Sequence, residues 1–420
     1  MHSKNSLLDE LSWRGMVYQH TDGLADALAT DSVSAYAGFD PTADSLHVGH
    51  LVPVMGLAHL QRSGHRPVAL VGGGTGMIGD PSGKTSERQL VSAEEIEKNS
   101  RAIEKQLRRF LDFDGKNAAL MRDNATWLRP LKAVEFMRDV GKHFTVNYML
   151  AKDSVQSRIE GGISFTEFSY MLLQAYDFLE LNRREGVTLQ IGGSDQWGNI
   201  TAGLELIRRV AGKTAHALTM PLVTTASGTK FGKTEAGAVW LDPARTSPYK
   251  FYQYWINVDD RDAGKYLRLF TLMPRGDIEA LDKLLTSAPE KREAQQALAR
   301  DMTARVHGDE AARVAEEVSR VLFGKAEPAS LTEPVLRALS EEVPFAESRE
   351  APGLLDALVT LKLAASKGAA RRLIEQGGVY LNGQRATVDT SLSATAALKG
   401  GYHLLRKGAR DYGLLRIVNG

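Results

Sequence analysis

Cysteine is absent from the 420-residue sequence. That excludes disulfides, thiolate metal sites and a thiol nucleophile, and it fits a reducing compartment. Long apolar runs are missing too. No stretch of ~18 uncharged apolar residues occurs, so no membrane-spanning helix is predicted. Met1 to Arg14 is polar and charged and lacks the apolar core of a signal peptide. These absences together predict a cytoplasmic protein.

What is present is an ordinary globular composition, 43% hydrophobic and 25% charged, in a chain long enough for two or three domains. The net charge of +1 is unevenly spread. Residues 351–420 hold ten Lys/Arg against four Asp/Glu, a local +6, and the rest of the chain carries −5. A basic tail on a mildly acidic body points to a polyanionic partner.

The chain is organised around Ala35 to His50. An apolar, strand-like run from Val33 to Phe39 stops at Asp40-Pro41, because proline cannot donate to a sheet ladder. Asp44 or Ser45 is placed to cap a helix beginning near Leu46. His47 and His50 then share a face of the first turn, with Gly49 open between them. A strand entering a helix N-terminus through a tight polar turn suits phosphate binding.

A second buried strand, Arg66 to Val71, runs into a glycine-rich exit, Gly72 to Gly76 and Gly79-Asp80-Pro81-Ser82-Gly83-Lys84. It fails as a dinucleotide fingerprint, because turn chemistry follows where a helix should open. It fails as a phosphate loop, because its glycines are one residue too close. What remains is an exit that lets a ligand approach, with Asp80 projecting a carboxylate and Lys84 and Arg88 as phosphate candidates. Helical patterns follow at Ser92–Phe110 and Ala133–Gly141.

Ser164-Phe165-Thr166-Glu167 reads as a capping box that starts a helix to about Leu181. This helix is apolar almost all round, yet Tyr170, Gln174 and Asp177 fall within about 60° of one another, a polar stripe roughly 10 Å long. Such a stripe is costly inside a protein unless protein or ligand hydrogen-bonds it. Its length suits an elongated molecule with a polar group at each end. Val187 to Ile191 is a further strand, leaving through Gly192–Asn199 into a helix at Ile200 to Val210. Three polar strand exits on one sheet place a ligand at the carboxyl ends of the strands. Pro221-Leu222-Val223 reads as a short strand before Ser227–Thr234, where Lys230 and Lys233 flank Phe231-Gly232. Two lysines without a full phosphate cradle suit transient charge stabilisation.

Residues from Thr246 to Phe323 read as mostly helical. Pro328, Pro334, Pro344 and Pro352 mark a linker. The last segment carries a helix near Leu354–Leu361 and a second with Lys367, Arg371 and Arg372 on one face. Asn382-Gly383 follows strand residues as a hairpin signal, and Tyr402–Leu405 and Leu414–Val418 supply two more strands. The local charge favours nucleic acid for this unit.

His47-Val48-Gly49-His50 and Lys230-Phe231-Gly232-Lys233-Thr234 together resemble the two signature motifs of class I aminoacyl-tRNA synthetases, in that family's order. Tyr36-Ala37-Gly38-Phe39-Asp40, Gly79–Lys84, Ser164–Asp177 and Gly192–Asn199 resemble its bacterial tyrosyl branch. The C-terminal unit is similar to a small RNA-binding module found in that branch. The departures are Val48 for isoleucine, and Lys-Phe-Gly-Lys-Thr for the general Lys-Met-Ser-Lys-Ser. Both histidines and both lysines stay in place.

The resemblance implies a Rossmann-like α/β catalytic domain with a parallel sheet at 1–245, with a connective helical insertion at about 111–165. An all-helical domain at 246–323, a linker at 324–352 and a small α+β RNA-binding domain at 353–420 would follow. It implies ATP with Mg²⁺, L-tyrosine and tRNA(Tyr) as partners, no tightly bound protein-ligated metal, and a homodimer formed through the region of 133–151. Tyr36 and Asp177 would hold the phenol, and Asp80, Tyr170 and Gln174 the ammonium, with Gln190 also against the tyrosine. His47, His50, Thr42, Lys230, Lys233, Lys84 and Arg88 would stabilise the reacting phosphates. Gly38, Asp40, Gly49, Gly193, Asp195, Gln196, Phe231, Gly232 and Thr234 would complete the ATP site. Lys152, Arg208, Arg209, Lys367, Arg371 and Arg372 would meet tRNA phosphates.

Two other classes share parts of this pattern. A small-molecule nucleotidyltransferase could carry the histidine turn, but the long helical and basic C-terminal extension does not fit it. A non-catalytic RNA-binding protein would not need His47, His50, Lys230 and Lys233 intact. Within the synthetases, Tyr36 with Asp177 favours a phenol over an indole.

Overall fold

Six strands form the central sheet of the computed structural model, which describes residues 6–30, 32–82, 91–159, 161–229, 231–234 and 237–418. They are β1 (Gln19–His20), β2 (Ser34–Phe39), β3 (Arg66–Val71), β4 (Leu120–Asp123), β5 (Leu189–Gly193) and β6 (His216–Met220), in the order β1-β6-β5-β2-β3-β4. All neighbours are parallel except β1, which closes the edge antiparallel to β6. Strand order reverses between β2 and β5, and at such a switch point the strand exits splay apart and leave a crevice. Parallel strands covered on both faces read as continuous apolar runs, which is why Arg66–Val71 is legible as a strand.

Helix Phe165–Glu185 shares a core with Tyr36, Val68 and Leu70 of this sheet and packs on helix Trp197–Ala211. The pair is close because Gly203 has no Cβ; one built there would stand 2.9 Å from the Phe178 ring. Ser164 caps the first helix by accepting from the Glu167 N–H. The expected box is only half made, because the Glu167 carboxylate instead pairs with Arg158 at 2.8 Å, both side chains buried. A buried carboxylate needs a full opposite charge more than a helix-end N–H. Further differences are small shifts of boundary: the strand expected at 221–223 lies at β6, ending at Met220, and the helix expected from Ile200 begins at Trp197.

The chain folds as two compact units, Met1–Thr246 with Asn257–Leu298, and Ser247–Ile256 with Ala299–Gly420. A small hairpin in the first unit supplies β7 (Lys233–Thr234) and β8 (Gly237–Ala238). The strands of the second unit are β9 (Phe345–Ser348), β10 (Val379–Leu381), β11 (Gln384–Arg385), β12 (Tyr402–Lys407) and β13 (Asp411–Ile417). They form a mostly antiparallel sheet in the order β11-β10-β12-β13-β9. The Asn-Gly turn forms as expected, with Asn382 at φ 49° and Gly383 at φ 86°.

The stretch expected as a linker is not one. It contributes helix Glu333–Ser340 and edge strand β9, which runs parallel to β13. Tyr402, Leu404, Tyr412 and Leu414 share a core with Val318, Val335, Leu336 and Leu339, while Leu405 and Leu415 face a second core with Leu358, Ile374 and Val379. The C-terminal sheet is therefore covered on both faces, by helices on either side of residue 351. The proline spacing that suggests an open connection marks the ends of short elements instead.

Candidate active site

A cavity of about 190 Å³ opens at the carboxyl ends of β2, β3 and β5, where the strand order reverses. It brings together Tyr36, Gly38, Asp40, Thr42, His50, Asp80, Tyr170, Gln174, Asp177, Gln190, Gly193 and Gln196, residues drawn from four separate stretches of sequence. The polar stripe on helix Phe165–Glu185 faces it throughout. Nothing stands within 4 Å of a Cβ built on Gly38, so the strand's backbone is open to whatever occupies the cavity.

The closed end is the most buried. Tyr36, Asp177 and Gln190 are 1%, 2% and 3% exposed. Tyr36 and Gln190 are register partners across β2 and β5, which sets their side chains on one face. Asp177 accepts from Trp127 Nε1 at 2.7 Å and from Asn124 Nδ2 at 2.8 Å. Among the described residues, the Tyr36 hydroxyl and Gln190 Oε1 have no hydrogen-bond partner. A buried polar atom without a partner costs about 1–3 kcal/mol, so this end is built to be completed by a ligand. Burial pushes the Asp177 carboxyl up to about 8, against the pull of its two donors. Burial, with the Asp177 charge beside it, holds the Tyr36 hydroxyl well above its ordinary range.

From Asp177 a continuous chain of hydrogen bonds runs along the wall. Asn124 Nδ2 also donates to Thr75 Oγ1 at 2.9 Å, Thr75 donates to Asp40 Oδ1 at 2.7 Å, and Tyr170 donates to Asp40 Oδ2 at 2.8 Å. Asn124 cannot flip, since its Oδ1 accepts the Gly74 N–H at 2.7 Å. At the open end Asp80 accepts from Gln196 Nε2 at 2.6 Å and from the Ser82 N–H at 2.9 Å, and Asn199 donates to Gln174 Oε1 at 3.2 Å. Asp195, exposed, lies against Gly193, where a Cβ would meet its Oδ1 at 2.5 Å.

The glycines of β3's exit do something other than admit a ligand. Built Cβ atoms on Gly72 and Gly73 would strike Asp40 Oδ1 at 2.0 Å and Asp123 Oδ1 at 2.4 Å. They make room for the protein's own carboxylates. Lys84 and Arg88 lie outside the described residues.

The histidine turn differs from expectation in its cap. A 3₁₀ turn, Val48–His50, precedes helix Leu51–Arg62, and His47 itself is the N-cap: its Nδ1 accepts the Gly49 N–H at 3.0 Å, and His50 Nδ1 accepts the His47 N–H at 3.1 Å. Asp44 pairs with Arg245, and Ser45 bonds the Leu46 carbonyl. Because both Nδ1 atoms accept, the neutral rings carry their protons on Nε2. His50 lines the cavity, and His47 stacks beside it at 3.9 Å between ring centroids.

The second signature lies against the first. Val48 N–H donates to the Val239 carbonyl and Val239 N–H to the Gly232 carbonyl, both at 3.0 Å. Gly232 has φ 78° and stands where a Cβ would be 2.7 Å from Val48 Cγ2, so only glycine fits. Lys233 is exposed and opens the β7–β8 hairpin, of which Thr234 is the second residue; Lys230 lies outside the described residues.

Of the surface cations, Arg208 and Arg209 both pair with Glu205, whose carboxyl they hold down at about 2. Lys152 donates to Thr201 and lies over the Tyr148 ring at 4.1 Å. Lys367, Arg371 and Arg372 are exposed, and Lys367 pairs with Asp356 at 2.6 Å. Arg372, Lys362 and Lys407 rim a groove with an apolar floor that includes Leu363 and Leu373. Among the described residues no cluster of three or more His, Asp or Glu could hold a metal, and no helix is long and apolar enough to cross a membrane.

Sequence reasoning misses Asn124, Trp127, Thr75 and Asn199. Asn124 and Trp127 follow β4, whose only signal is the short run before Asp123-Asn124.

The fold is that of a class I synthetase: a family model described as tRNA synthetases class I (W and Y) matches residues 28–324. A second, described as the tyrosine--tRNA ligase SYY-like C-terminal domain, matches residues 336–415. The chain is 56% identical over 423 residues to the tyrosine--tRNA ligase of Roseiflexus castenholzii, covering 98% of this chain and all 100% of that protein. Against the tyrosine--tRNA ligase of Geobacillus stearothermophilus it is 54% identical over 419 residues, with 98% and 100% covered. The crystal structure of a C-terminally truncated mitochondrial tyrosyl-tRNA synthetase from Aspergillus nidulans superposes with a TM-score of 0.70 at 29% identity, over 77% of this chain and 95% of that one. The chain belongs to the tyrosine--tRNA ligases of class I.

Proposed function

We propose that the chain activates L-tyrosine with ATP, taken as its magnesium complex, to tyrosyl-adenylate and pyrophosphate. It then passes the tyrosyl group to the 3′ end of tRNA(Tyr). The observation that carries the substrate assignment is the closed end of the cavity. A phenol hydroxyl there can donate to Asp177 and accept from Tyr36, giving the unpaired buried hydroxyl its partner. At the other end Asp80, Tyr170 and Gln174 offer oxygen acceptors to an ammonium group, and Gln190 flanks the ring.

The tyrosine carboxylate attacks the α-phosphate directly, so no side chain becomes a nucleophile. Catalysis is then positioning and stabilisation of charge. His47 and His50 would donate from Nε2 on one side with Thr42, and Lys230 and Lys233 from the other, while Lys84 and Arg88 would meet the pyrophosphate. Gly38 leaves its face open to the nucleotide, with Asp40, Gly49 and Gly193 also beside it; Asp195 and Gln196 reach its ribose or the substrate carboxylate, and Phe231, Gly232 and Thr234 carry the lysines. A homodimer through 133–151 belongs to the same proposal, supported by Val134, Met137 and Val146, which are 78%, 60% and 61% exposed.

Pyrophosphate exchange into ATP, run with each amino acid separately, tests this reading. Tyrosine should give the fastest exchange; no exchange with tyrosine, or more with tryptophan, would overturn it. For the tRNA step the informative change is Arg371→Ala with Arg372→Ala, both exposed, rather than removal of the tail. Exchange should stay unchanged while tRNA charging weakens, with the slope of log affinity on log salt reduced by about 1–2. An unaltered salt slope would take these two residues out of the tRNA site. Lys152, Arg208, Arg209 and Lys367 are proposed as further phosphate contacts, with the last three first having to leave a carboxylate.

A further inference from the structure

The second signature is held from beneath by one helix. Helix Asp260–Phe270 places Asp262, Tyr266 and Phe270 one turn apart on a single face, 6%, 2% and 0% exposed. Asp262 Oδ2 accepts the Ala226 N–H at 2.8 Å, just before the signature. Phe231, inside it, is buried in the next part of the same face. Its ring stacks on Phe270 with centroids 4.9 Å apart and planes 11° from parallel, and meets Tyr266 edge-on at 5.0 Å.

Around the first of these attachments the chain closes on itself. The Thr225 hydroxyl lies 2.8 Å from that of Ser227 and 2.6 Å from that of Thr229, and it accepts the Thr229 N–H at 3.1 Å. The end of the supporting helix is fixed in turn by Arg14. Its buried guanidinium donates to the carbonyls of Arg268 and Thr271 at 3.0 and 2.9 Å.

A cation stabilises a developing charge only as well as it is placed, and an unordered loop would give up conformational freedom at every turnover. None of Asp262, Tyr266 and Phe270 lines the cavity, so they have no direct part in binding substrate there. We infer that Asp262, together with the Tyr266–Phe270 pocket, positions the second signature so that Lys233 is carried at the working distance from the phosphates. These are positioning residues, acting through the backbone at Ala226 and the ring of Phe231. The inference rests on the adenylation reading above and adds to it a support that lies outside the substrate cavity.

The test uses the full chain with Asp262→Ala, Asp262→Asn and Phe270→Leu, measuring tyrosine-dependent pyrophosphate exchange and equilibrium tyrosine binding. Asp262→Ala and Phe270→Leu should each lower kcat for exchange by about tenfold, within the ~10²-fold that a 1 Å misplacement can cost. Tyrosine affinity should stay within about twofold, since the closed end of the cavity is untouched. Asp262→Asn keeps an acceptor oxygen for the Ala226 N–H and should restore most of the rate. Unchanged exchange in both the alanine and leucine variants, or tyrosine affinity falling in step with rate, would overturn the inference. Wild-type exchange with tyrosine tests the activity itself; only the ratio of variant to wild type tests the anchor.

Discussion

Asp177→Ala should weaken tyrosine binding by about 10²–10³-fold, because it removes a buried hydrogen-bond acceptor and leaves buried donors unsatisfied at ~1–3 kcal/mol each. Asn124 Nδ2 and Trp127 Nε1 both point at this carboxylate, and the Tyr36 hydroxyl beside it already lacks a partner. Discrimination against phenylalanine should collapse with it, since the site would no longer lose a hydrogen bond when the hydroxyl is missing. Equilibrium binding of both amino acids checks this; a variant that still prefers tyrosine by the wild-type margin would remove Asp177 from the specificity site.

The same residue should leave a mark on stability. Its carboxyl is raised from 3.8 to about 8 by burial, so the folded protein holds that proton more tightly than the unfolded chain. A group raised in this way contributes stability that is complete below 3.8 and is lost as pH climbs to about 8. His65, His216 and His403 are lowered by burial from 6.5, and they oppose this only as pH falls below 6.5. Across 6.5 to 8 the decline expected from Asp177 is therefore not opposed by these histidines. Thermal midpoints of the unliganded protein should decline across it in the wild type and stay level in Asp177→Ala. Equal slopes would mean that another group carries the change.

His50→Ala should lower the rate of tyrosyl-adenylate formation by about 10²–10³-fold, the usual cost of one preorganised donor to a developing negative charge. The hydrogen bonds within the turn decide which nitrogen is offered. His50 Nδ1 accepts the His47 N–H, so in the neutral ring Nε2 bears the proton, and His50 lines the cavity. Tyrosine affinity should be unchanged, since His50 is not among Tyr36, Asp177 and Gln190, which line the closed end where we propose the phenol binds. Single-turnover rates and equilibrium tyrosine binding separate the two. A loss of affinity matching the loss of rate would make His50 part of the amino acid site.

Much of this site is legible in the sequence alone. The histidine turn, the Asp80 exit and the stripe of Tyr170, Gln174 and Asp177 are visible because periodicity and turn chemistry are local. What stays hidden depends on long-range partners. Asn124 follows a four-residue strand with every residue half-buried, too short to show a period, yet it ties Asp177 to Thr75 and Asp40. The cap of the histidine turn falls to His47 rather than Asp44 or Ser45, because imidazole is not an expected cap and both of the usual residues are claimed by distant partners. Glu167 fits a local rule in sequence and breaks it for Arg158. The expected linker fails for the same reason: its apolar residues find a shared core on a sheet formed much later in the chain.

Helix Pro248–Ile256 has a consequence for the order in which the molecule can assemble. It belongs with residues from Ala299 onward, although the intervening residues return to the first unit. Phe251, Tyr252 and Trp255 are 0%, 2% and 0% exposed, and the helix they pack on is Asp309–Leu322. During synthesis the N-terminal part emerges and folds first. These three aromatic rings then leave the ribosome before the surface that covers them has been made. Nor can the first unit finish until Asn257–Leu298 has followed. Neither unit is a continuous segment, so a chain stalled between Asn257 and Leu298 leaves both units incomplete, and one stalled at Ala299 still leaves the aromatic face of Pro248–Ile256 uncovered and open to aggregation.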